Sequence, residues 1–313
     1  MQTNEVNRRG ARLTVPCRIA AGAVALALLT CSWSGSAAAR VSESSIDWLG
    51  RIQRVRADGF RGDALRQLWR DVAAVTGPDS LVTWDGSRLE LVVADEDAPV
   101  LDQRMGSADD LQGVDIVASD VRPTPAFYSA TGGDGQAGKH LDSGTMGWII
   151  EVWGFRKAIT AAHATALNRT HYYSGTGTPV GSTDSILGDL DAATIRLSAG
   201  STGSVYGLAE PIGRILPENQ ILPGLPIWFS GKKSGINRPG TVTKLAAGNG
   251  TLWWCTTARA GAGDSGGPVF GRENGKLTAA GMVSGGISND PNCGMAFVNL
   301  DPILRRSSGT LVK

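Results

Sequence analysis

The stretch that decides the fold is residues 261–270, which read Gly-Ala-Gly-Asp-Ser-Gly-Gly-Pro-Val-Phe. A serine hydroxyl is a weak nucleophile at neutral pH, so it needs a base to take its proton and donors to bind the oxyanion. On a glycine-rich turn the N–H groups of Gly263 and Ser265 can converge, and glycine lets a second backbone approach closely. The alternative is an ordinary glycine-rich loop with an exposed serine. The length of the run favours Ser265 as a nucleophile, with Gly263 and Ser265 as oxyanion donors.

The base is sought among the three histidines of the chain. His163 follows an apolar strand pattern at residues 158–161, and its alanine neighbours leave the ring accessible. His140 and His171 stand in polar sequence rich in glycine and serine, and we expect both at the surface. His163 is therefore the predicted base.

A carboxylate beside the histidine would fix its tautomer and stabilise the imidazolium. Asp191 opens an apolar strand pattern, residues 192–197, which can carry the acid inward. Asp189 and Asp184 are the competing candidates. Each of the three could also be a solvated turn residue, and Asp191 is the predicted third member.

These segments resemble the signatures of trypsin/chymotrypsin-like serine peptidases, in the order His, Asp, Ser. The residues that carry the resemblance are Thr160-Ala161-Ala162-His163, Asp191-x-Ala193 and Gly263-Asp264-Ser265-Gly266-Gly267-Pro268. It covers about residues 132–306. The sequence looks most similar to the bacterial streptogrisin and alpha-lytic branch, because a Ser-Gly-Gly strand precedes the turn at residues 288–293 and the spacing from histidine to aspartate is short.

The resemblance implies an all-β fold of two six-stranded antiparallel barrels. It implies hydrolysis of peptide bonds through an acyl-enzyme intermediate, with no metal or organic cofactor. Ser284 would support Asp191, and Met295 would fill the floor of the specificity pocket. The segments that would line this specificity pocket contain no Asp or Glu. We therefore expect the enzyme to prefer a substrate with an apolar side chain at the residue before the cleaved bond. The substrate-binding residues implied are Val283, Ser284, Gly285, Gly286 and Met295.

Two departures from the family pattern concern the surroundings of the triad. Members of the family usually carry a cysteine after the catalytic histidine, paired with one on the preceding strand; here Ala164 and Gly144 stand near those positions. Asp264 would be buried beside Ser265 and would need a charge or several donors. Lys232 and Lys233 are both candidates for that partner.

The rest of the second half fits many short strands. The chain contains 42 glycines, most of them after residue 130 and beside other turn residues, which favours strands joined by turns. Helix patterns nearly vanish there. The predicted strands are residues 146–152, 158–161, 192–197, 226–230, 240–245, 267–270, 277–284 and 295–299.

The N-terminal sequence predicts export. Residues 1–39 have the order of a signal peptide: arginines, an apolar run over 19–29, then small residues before Arg40. Cys17 and Cys31 would leave with the signal. Cys255 and Cys293 would remain in an exported chain, and a disulfide between them is the natural prediction, with two buried thiols as the alternative.

Residues 40–131 read as a small α+β unit. Ser44 and Ser45 can cap a first helix, and a stripe of Leu65, Leu68, Trp69 and Val72 predicts a second one that ends at Gly77. Strand patterns follow at residues 81–84, 89–93 and 114–117. The segment weakly resembles the pro-regions of the bacterial proteases, so we expect a pro-region, with the peptidase domain over 132–313. A permanent accessory domain is the alternative.

Competing functions are separated by the order of the residues. An α/β-hydrolase needs a histidine after the serine, whereas the last histidine here, His171, precedes Ser265. A subtilisin-like enzyme needs the catalytic aspartate before the histidine, whereas here the predicted Asp191 follows His163. A catalytically silent binding module stays open as the alternative, as does an esterase with the same triad.

The composition limits the partners. The formal net charge of +1 gives no reason to expect nucleic acid, or a membrane after processing. We expect a monomer outside the cytoplasm, either extracellular or periplasmic. Its partners would be protein or peptide substrates and its own pro-region.

Overall fold

The structure, a computed structural model, describes residues 46–106, 111–118, 123–125, 139–174, 176–198, 201–287 and 290–313. The predicted signal peptide, Cys17, Cys31 and the Ser44–Ser45 cap lie outside these residues. Among the helices of the described ranges, none has the length and apolar character needed to cross a membrane.

In the part of the N-terminal segment that the structure describes, there are three helices and three strands before strand β4 (Pro123–Pro125). The helices are α1 (Trp48–Asp58), α2 (Asp63–Thr76) and α3 (Ala98–Met105), and the strands are β1 (Leu81–Trp84), β2 (Leu89–Val93) and β3 (Val114–Ala118). The predicted apolar stripe of α2 is buried, and Gly77 caps its C-terminus. Asp47 caps α1 by accepting from the N–H of Gly50. The sequence analysis did not predict α3.

The first barrel is built mainly from the strands between residues 140 and 197. Its strands are β5 (His140–Leu141), β6 (Gly144–Thr145), β7 (Ile149–Val152), β8 (Phe155–Ala161), β9 (Thr170–Tyr172), β10 (Pro179–Leu187), β11 (Ala192–Leu197) and, from the C-terminus, β19 (Thr310–Leu311). Six of them form one antiparallel sheet in the order β19-β7-β8-β11-β10-β9. Ile149, Ala158 and Ile195 belong to one buried cluster of this barrel, whereas Ile159 lies on the opposite face of the sheet and is buried against residues of the second barrel.

The second barrel closes on itself. After β4 (Pro123–Pro125), its strands are β12 (Ile212–Ile215), β13 (Pro226–Gly231), β14 (Gly235–Gly248), β15 (Thr251–Thr256), β16 (Pro268–Glu273), β17 (Lys276–Ile287) and β18 (Met295–Asn299), followed by helix α4 (Leu300–Ser307). Six strands run in the order β13-β16-β17-β18-β15-β14, and β14 pairs back with β13. The predicted all-β architecture of two six-stranded barrels is confirmed.

The N-terminal part continues the sheet of the second barrel. Strand β1 pairs antiparallel with the end of β14, with Trp84 opposite Leu245. Phe60 then packs its ring against Trp84 and Trp254, at centroid distances of 6.5 and 5.6 Å. Residues from both parts share one hydrophobic core, so the N-terminal part is packed onto the barrel.

Candidate active site

Strand pairing brings His163 and Asp191 together. Strands β8 and β11 are antiparallel, and Ala161 lies opposite Ala192. The residues that follow β8 and the residue that precedes β11 therefore meet at one end of the sheet. The N–H of Ala162 donates to the carbonyl of Asp191 at 2.9 Å. This hydrogen bond holds the two backbone segments together independently of the side chains.

The side chains of His163, Asp191 and Ser265 form one hydrogen-bonded row. Nδ1 of His163 lies 2.9 and 2.8 Å from the two carboxylate oxygens of Asp191. Nε2 lies 3.0 Å from Oγ of Ser265. Because a carboxylate only accepts, the Nδ1 proton belongs on the histidine and Nε2 is left to take the serine proton. The row has the geometry of a nucleophile, a base and an orienting acid.

The aspartate has further support from the second barrel. The hydroxyl of Ser284, on β17, donates to Oδ2 of Asp191, as the family resemblance implied. The backbone N–H of His163 donates to Oδ1 at 3.1 Å. Nε1 of Trp253 donates to Oγ of Ser284 at 3.1 Å, a contact that the sequence analysis missed. The row thus extends from Trp253 to Ser265 across both barrels.

The turn of Ser265 is held by the buried carboxylate of Asp264. Asp264 is fully buried. It accepts from the backbone N–H groups of Gly261, Lys233 and Ser234 at 2.7, 2.7 and 3.0 Å, and from the Ser234 hydroxyl at 2.5 Å. Its charge is therefore stabilised by four donors. Of the two lysine candidates, Lys233 serves through its backbone.

The other candidate cation points elsewhere. Nζ of Lys232 lies 3.3 Å from the carbonyl of Leu141, and burial lowers the pKa of Lys232. The carbonyl of Gly263 accepts from the Thr145 hydroxyl at 2.7 Å, and Gly263 has a φ of +102°. A glycine is required for that backbone conformation, so the turn that would present the oxyanion donors depends on it.

The competing aspartates are engaged in other contacts. Asp184 lies 2.8 Å from Nζ of Lys157, and its Oδ1 accepts from the Thr194 hydroxyl at 2.6 Å. Asp189 lies 3.5 Å from Nη2 of Arg306. Asp191 is thus the carboxylate that reaches His163.

The prediction of a surface position is wrong for His171, whereas His140 has intermediate exposure. His171 is fully buried, and burial lowers the pKa of half-buried His140, with Lys232 acting in the same direction. His171 faces both Ser143 and Asp142, but through the same nitrogen, Nδ1. A triad needs serine and aspartate on opposite nitrogens, and a substrate needs access. His171 therefore does not form a second triad.

A cavity of about 190 Å³ lies beside the histidine. Its lining includes the predicted substrate-binding residues Ser284, Gly285 and Gly286, together with Trp253 and Ala296. Among the described residues that line the cavity, Asp191 is the one acid, and it already bonds to His163.

Two further predicted substrate-binding residues lie elsewhere. Val283 and Met295 are fully buried and pack with Phe297 in the hydrophobic core. They are not part of the cavity lining. On β18 the lining residue is Ala296, whose side chain points to the opposite face of the strand from that of Met295, and on β17 a register shift separates Val283 from Gly285.

The segment before the first barrel lies along the predicted substrate strand. Strand β4 pairs antiparallel with β17, with Pro125 opposite Gly285, Thr124 opposite Gly286 and Pro123 opposite Ile287. From Pro123 to Pro125 the pairing advances along β17 from Ile287 to Gly285, the residue after Ser284. Strand β4 thus occupies the edge that the family resemblance assigns to an extended substrate.

The two remaining sequence predictions concern cysteine positions. Cys255 and Cys293 form a disulfide, which confirms the predicted pair. A Cβ built on Gly144 would lie 3.7 Å from Cβ of Ala164, so these two positions face each other without a cross-link.

The topology agrees with the sequence signatures. The fold is chymotrypsin-like. Among solved structures, the chain is similar to a glutamic acid-specific serine protease, with 21% identity over 57% of this chain and 100% of the other and a TM-score of 0.48. It is also similar to protease A of Thermobifida fusca (21%, covering 57% and 98%, TM-score 0.44) and to the Nocardiopsis protease (21%, covering 59% and 100%, TM-score 0.43). No protein-family model and no curated protein matches the chain.

Proposed function

We propose that the chain is an exported serine endopeptidase that cleaves peptide bonds through an acyl-enzyme intermediate. The observation that carries the proposal is the row Asp191–His163–Ser265, with 2.8 and 3.0 Å between consecutive partners. His163 takes the Ser265 proton as the hydroxyl attacks the peptide carbonyl, and it returns the proton to the leaving amine. Gly263 and Ser265 N–H groups stabilise the oxyanion. Water then attacks the acyl-enzyme by the same proton transfers in reverse.

The first experiment tests the nucleophile. Wild-type enzyme is expected to react with a fluorophosphonate probe and to hydrolyse peptides, whereas Ser265→Ala loses probe labelling and on the order of 10⁶-fold in kcat. Ser198→Ala, which removes a hydroxyl in the first barrel that bonds to the carbonyl of Val180, serves as the matched control and keeps both. A Ser265→Ala enzyme that retains its rate would exclude the proposal. Probe labelling without peptide turnover would favour an esterase. The absence of both labelling and turnover would favour a silent binding module.

We also propose that residues 40–131 are a pro-region that masks the site until it is cut. Two contacts support this: β1 extends the sheet of the second barrel, and β4 covers the edge at Gly285 and Gly286. Because β4 runs toward the triad, the bonds soon after Pro125 are the ones proposed for self-cleavage. The proposal places the mature enzyme outside the cytoplasm, acting on protein or peptide substrates.

Self-cleavage can be measured on the secreted protein. Mass spectrometry of the mature wild-type enzyme is expected to find a new N-terminus within residues 126–132. The Ser265→Ala chain should accumulate uncut. An active enzyme whose covalent chain still begins near residue 40 would instead identify a permanent accessory domain.

A further inference from the structure

A second histidine is fully buried in the first barrel and takes no part in the proposed reaction. His171 lies on β9 with 0% exposure. Its Nδ1 faces Oγ of Ser143 at 3.3 Å and Oδ1 of Asp142 at 3.5 Å. Its Nε2 faces Oγ1 of Thr165 at 3.0 Å and Oγ1 of Thr183 at 2.8 Å. Burying a polar ring without hydrogen-bond partners costs free energy. The ring therefore favours the arrangement in which the segments that supply its partners lie together.

The contacts fit a neutral imidazole. Asp142 can only accept, so Nδ1 carries the proton, and Nε2 accepts from a threonine hydroxyl. Burial lowers the pKa of His171; Asp142 opposes this and Arg169 adds to it. Both ring nitrogens have hydrogen-bond partners when the imidazole is neutral. The ring therefore connects residues 142–143 on its Nδ1 side to Thr165 on its Nε2 side.

The Thr165 side of the bridge reaches the catalytic histidine. The turn at Ala162–Ala164 carries His163, and Thr165 closes it by donating its N–H to the carbonyl of Ala162 at 3.2 Å. Holding Thr165 in place therefore holds the turn that aims the His163 ring.

The opposite side reaches the nucleophile. The chain continues from Ser143 through β6 to Thr145, whose N–H donates to the carbonyl of Ser265 at 2.8 Å. The Thr145 hydroxyl donates to the carbonyl of Gly263 at 2.7 Å. The segment beside Ser143 thus supports the turn of Ser265.

We propose that His171 is a positioning residue for the triad, whose ring holds the turn of His163 in register with the turn of Ser265. The inference rests on the proposed function and adds to it a residue that does not touch substrate. A shift of about 1 Å between a base and its nucleophile can cost on the order of 10²-fold in rate, so loss of this bridge should lower kcat while leaving the substrate edge at β17 intact.

The test compares two amide side chains at position 171. Glutamine reaches about as far as Nε2 and can keep the link to Thr165, whereas asparagine reaches only about as far as Nδ1. We expect His171→Asn to lower kcat between about 10- and 100-fold with KM within about twofold of wild type. We expect His171→Gln to lower kcat less than His171→Asn does, because glutamine keeps the link to the turn of His163 and loses only the link to residues 142–143. Thr165→Val removes the same link without touching the ring and should reproduce the asparagine result if His171→Asn does not fold.

Thr194→Val is the matched control. Thr194 is buried in the same barrel, on β11, and its hydroxyl bonds to Asp184. It should lower the melting temperature without lowering kcat. The inference is overturned if His171→Asn and Thr165→Val keep wild-type kcat, or if asparagine and glutamine lose activity equally. Wild-type enzyme without Ser265-dependent hydrolysis would overturn the proposed function itself, and this inference with it.

Discussion

At the scale of single residues, Asp191 shows how the backbone aims the side chain of the proposed orienting acid. It has a φ of +43° and follows the 3₁₀ turn Gly188–Leu190. Asp and Asn tolerate this left-handed conformation better than other non-glycine residues do. The carboxylate then receives the hydroxyl of Ser284 and the N–H of His163. The conformation that orients the acid thus also limits which residues can replace it.

Asp191→Asn therefore separates chemistry from folding. Asparagine accepts the same backbone conformation but cannot enforce the tautomer of His163, so kcat should fall on the order of 10⁴-fold. The far-ultraviolet circular dichroism spectrum should not change. Asp189→Asn, at the rival aspartate beside Arg306, is the control and should keep full activity. Comparable loss in both variants would contradict the assignment of Asp191.

Ser234→Ala tests the donors to Asp264. The substitution removes the 2.5 Å bond from the hydroxyl to a fully buried carboxylate. The free energy of unfolding should fall by about 2 kcal/mol, measured by urea denaturation of the mature enzyme. Lys233→Met should change it by less than about 0.5 kcal/mol, because Lys233 contributes its backbone N–H. A larger loss of unfolding free energy for Lys233→Met would instead identify the ammonium group of Lys233 as the partner of Asp264.

The sequence is informative about residues whose chemistry is local. The glycine run marks Ser265, and the apolar strands at residues 158–161 and 192–197 mark His163 and Asp191, because each pattern lies next to the residue that it identifies. His171 has polar neighbours in the sequence, and its four partners come from three separate segments. Burial produced by such non-local contacts leaves no local pattern, which is why His171 was assigned to the surface.

At the scale of elements, the disulfide joins the start of the nucleophile segment to β18. Cys255 lies on β15 and Cys293 ends the 3₁₀ turn before β18, 38 residues later. The enclosed segment contains the Ser265 turn, β16 and β17. The bond thus constrains the part of the second barrel that carries both the proposed nucleophile and the proposed substrate edge.

Replacing both cysteines by serine should destabilise the mature enzyme. A closed loop of this length restricts the unfolded chain by about 4 kcal/mol, and two hydroxyls would be left in a buried position. We expect the midpoint of urea unfolding to fall accordingly, while kcat at 25 °C changes little. The comparison is wild-type enzyme with and without reductant under the same conditions. An unchanged unfolding free energy would mean that the bond constrains little.

Elements with strong patterns were predictable, and their partners were not. Strands Ala192–Leu197 and Met295–Asn299 have the predicted bounds. Strands β10 and β15 were missed, as was α3, a short helix that buries only Leu101 and Met105. The pairing of β1 with β14 joins segments far apart in the chain. Only the folded sheet specifies which edges meet.

At the scale of the whole molecule, one interface contains an unusual acid. Glu218 lies in a 3₁₀ turn of the second barrel, and its Oε1 is 3.4 Å from a Cβ built on Gly62, at the start of α2. Burial raises the pKa of Glu218 to about 7. Arg66 and Arg305 oppose the rise, whereas Asp63 and Asp301 add to it. Helix α2 belongs to the proposed pro-region, so the acid is buried partly by the segment that must leave.

Release of the cut pro-region should therefore depend on pH. In the complex the pKa of Glu218 is about 7, whereas its usual value is 4.5. Binding of the pro-region is therefore strongest below about pH 4.5, where Glu218 is protonated in both states. Binding weakens by up to about 10²-fold as the pH rises from there to about 7. Above pH 7 this effect is constant. The measurement is the fraction of the cut pro-region that co-elutes with fluorophosphonate-inhibited enzyme in gel filtration between pH 4.5 and 8. Glu218→Gln keeps the shape of the side chain without its titration and should remove the step. The same pH dependence in both proteins would show that a different group controls release.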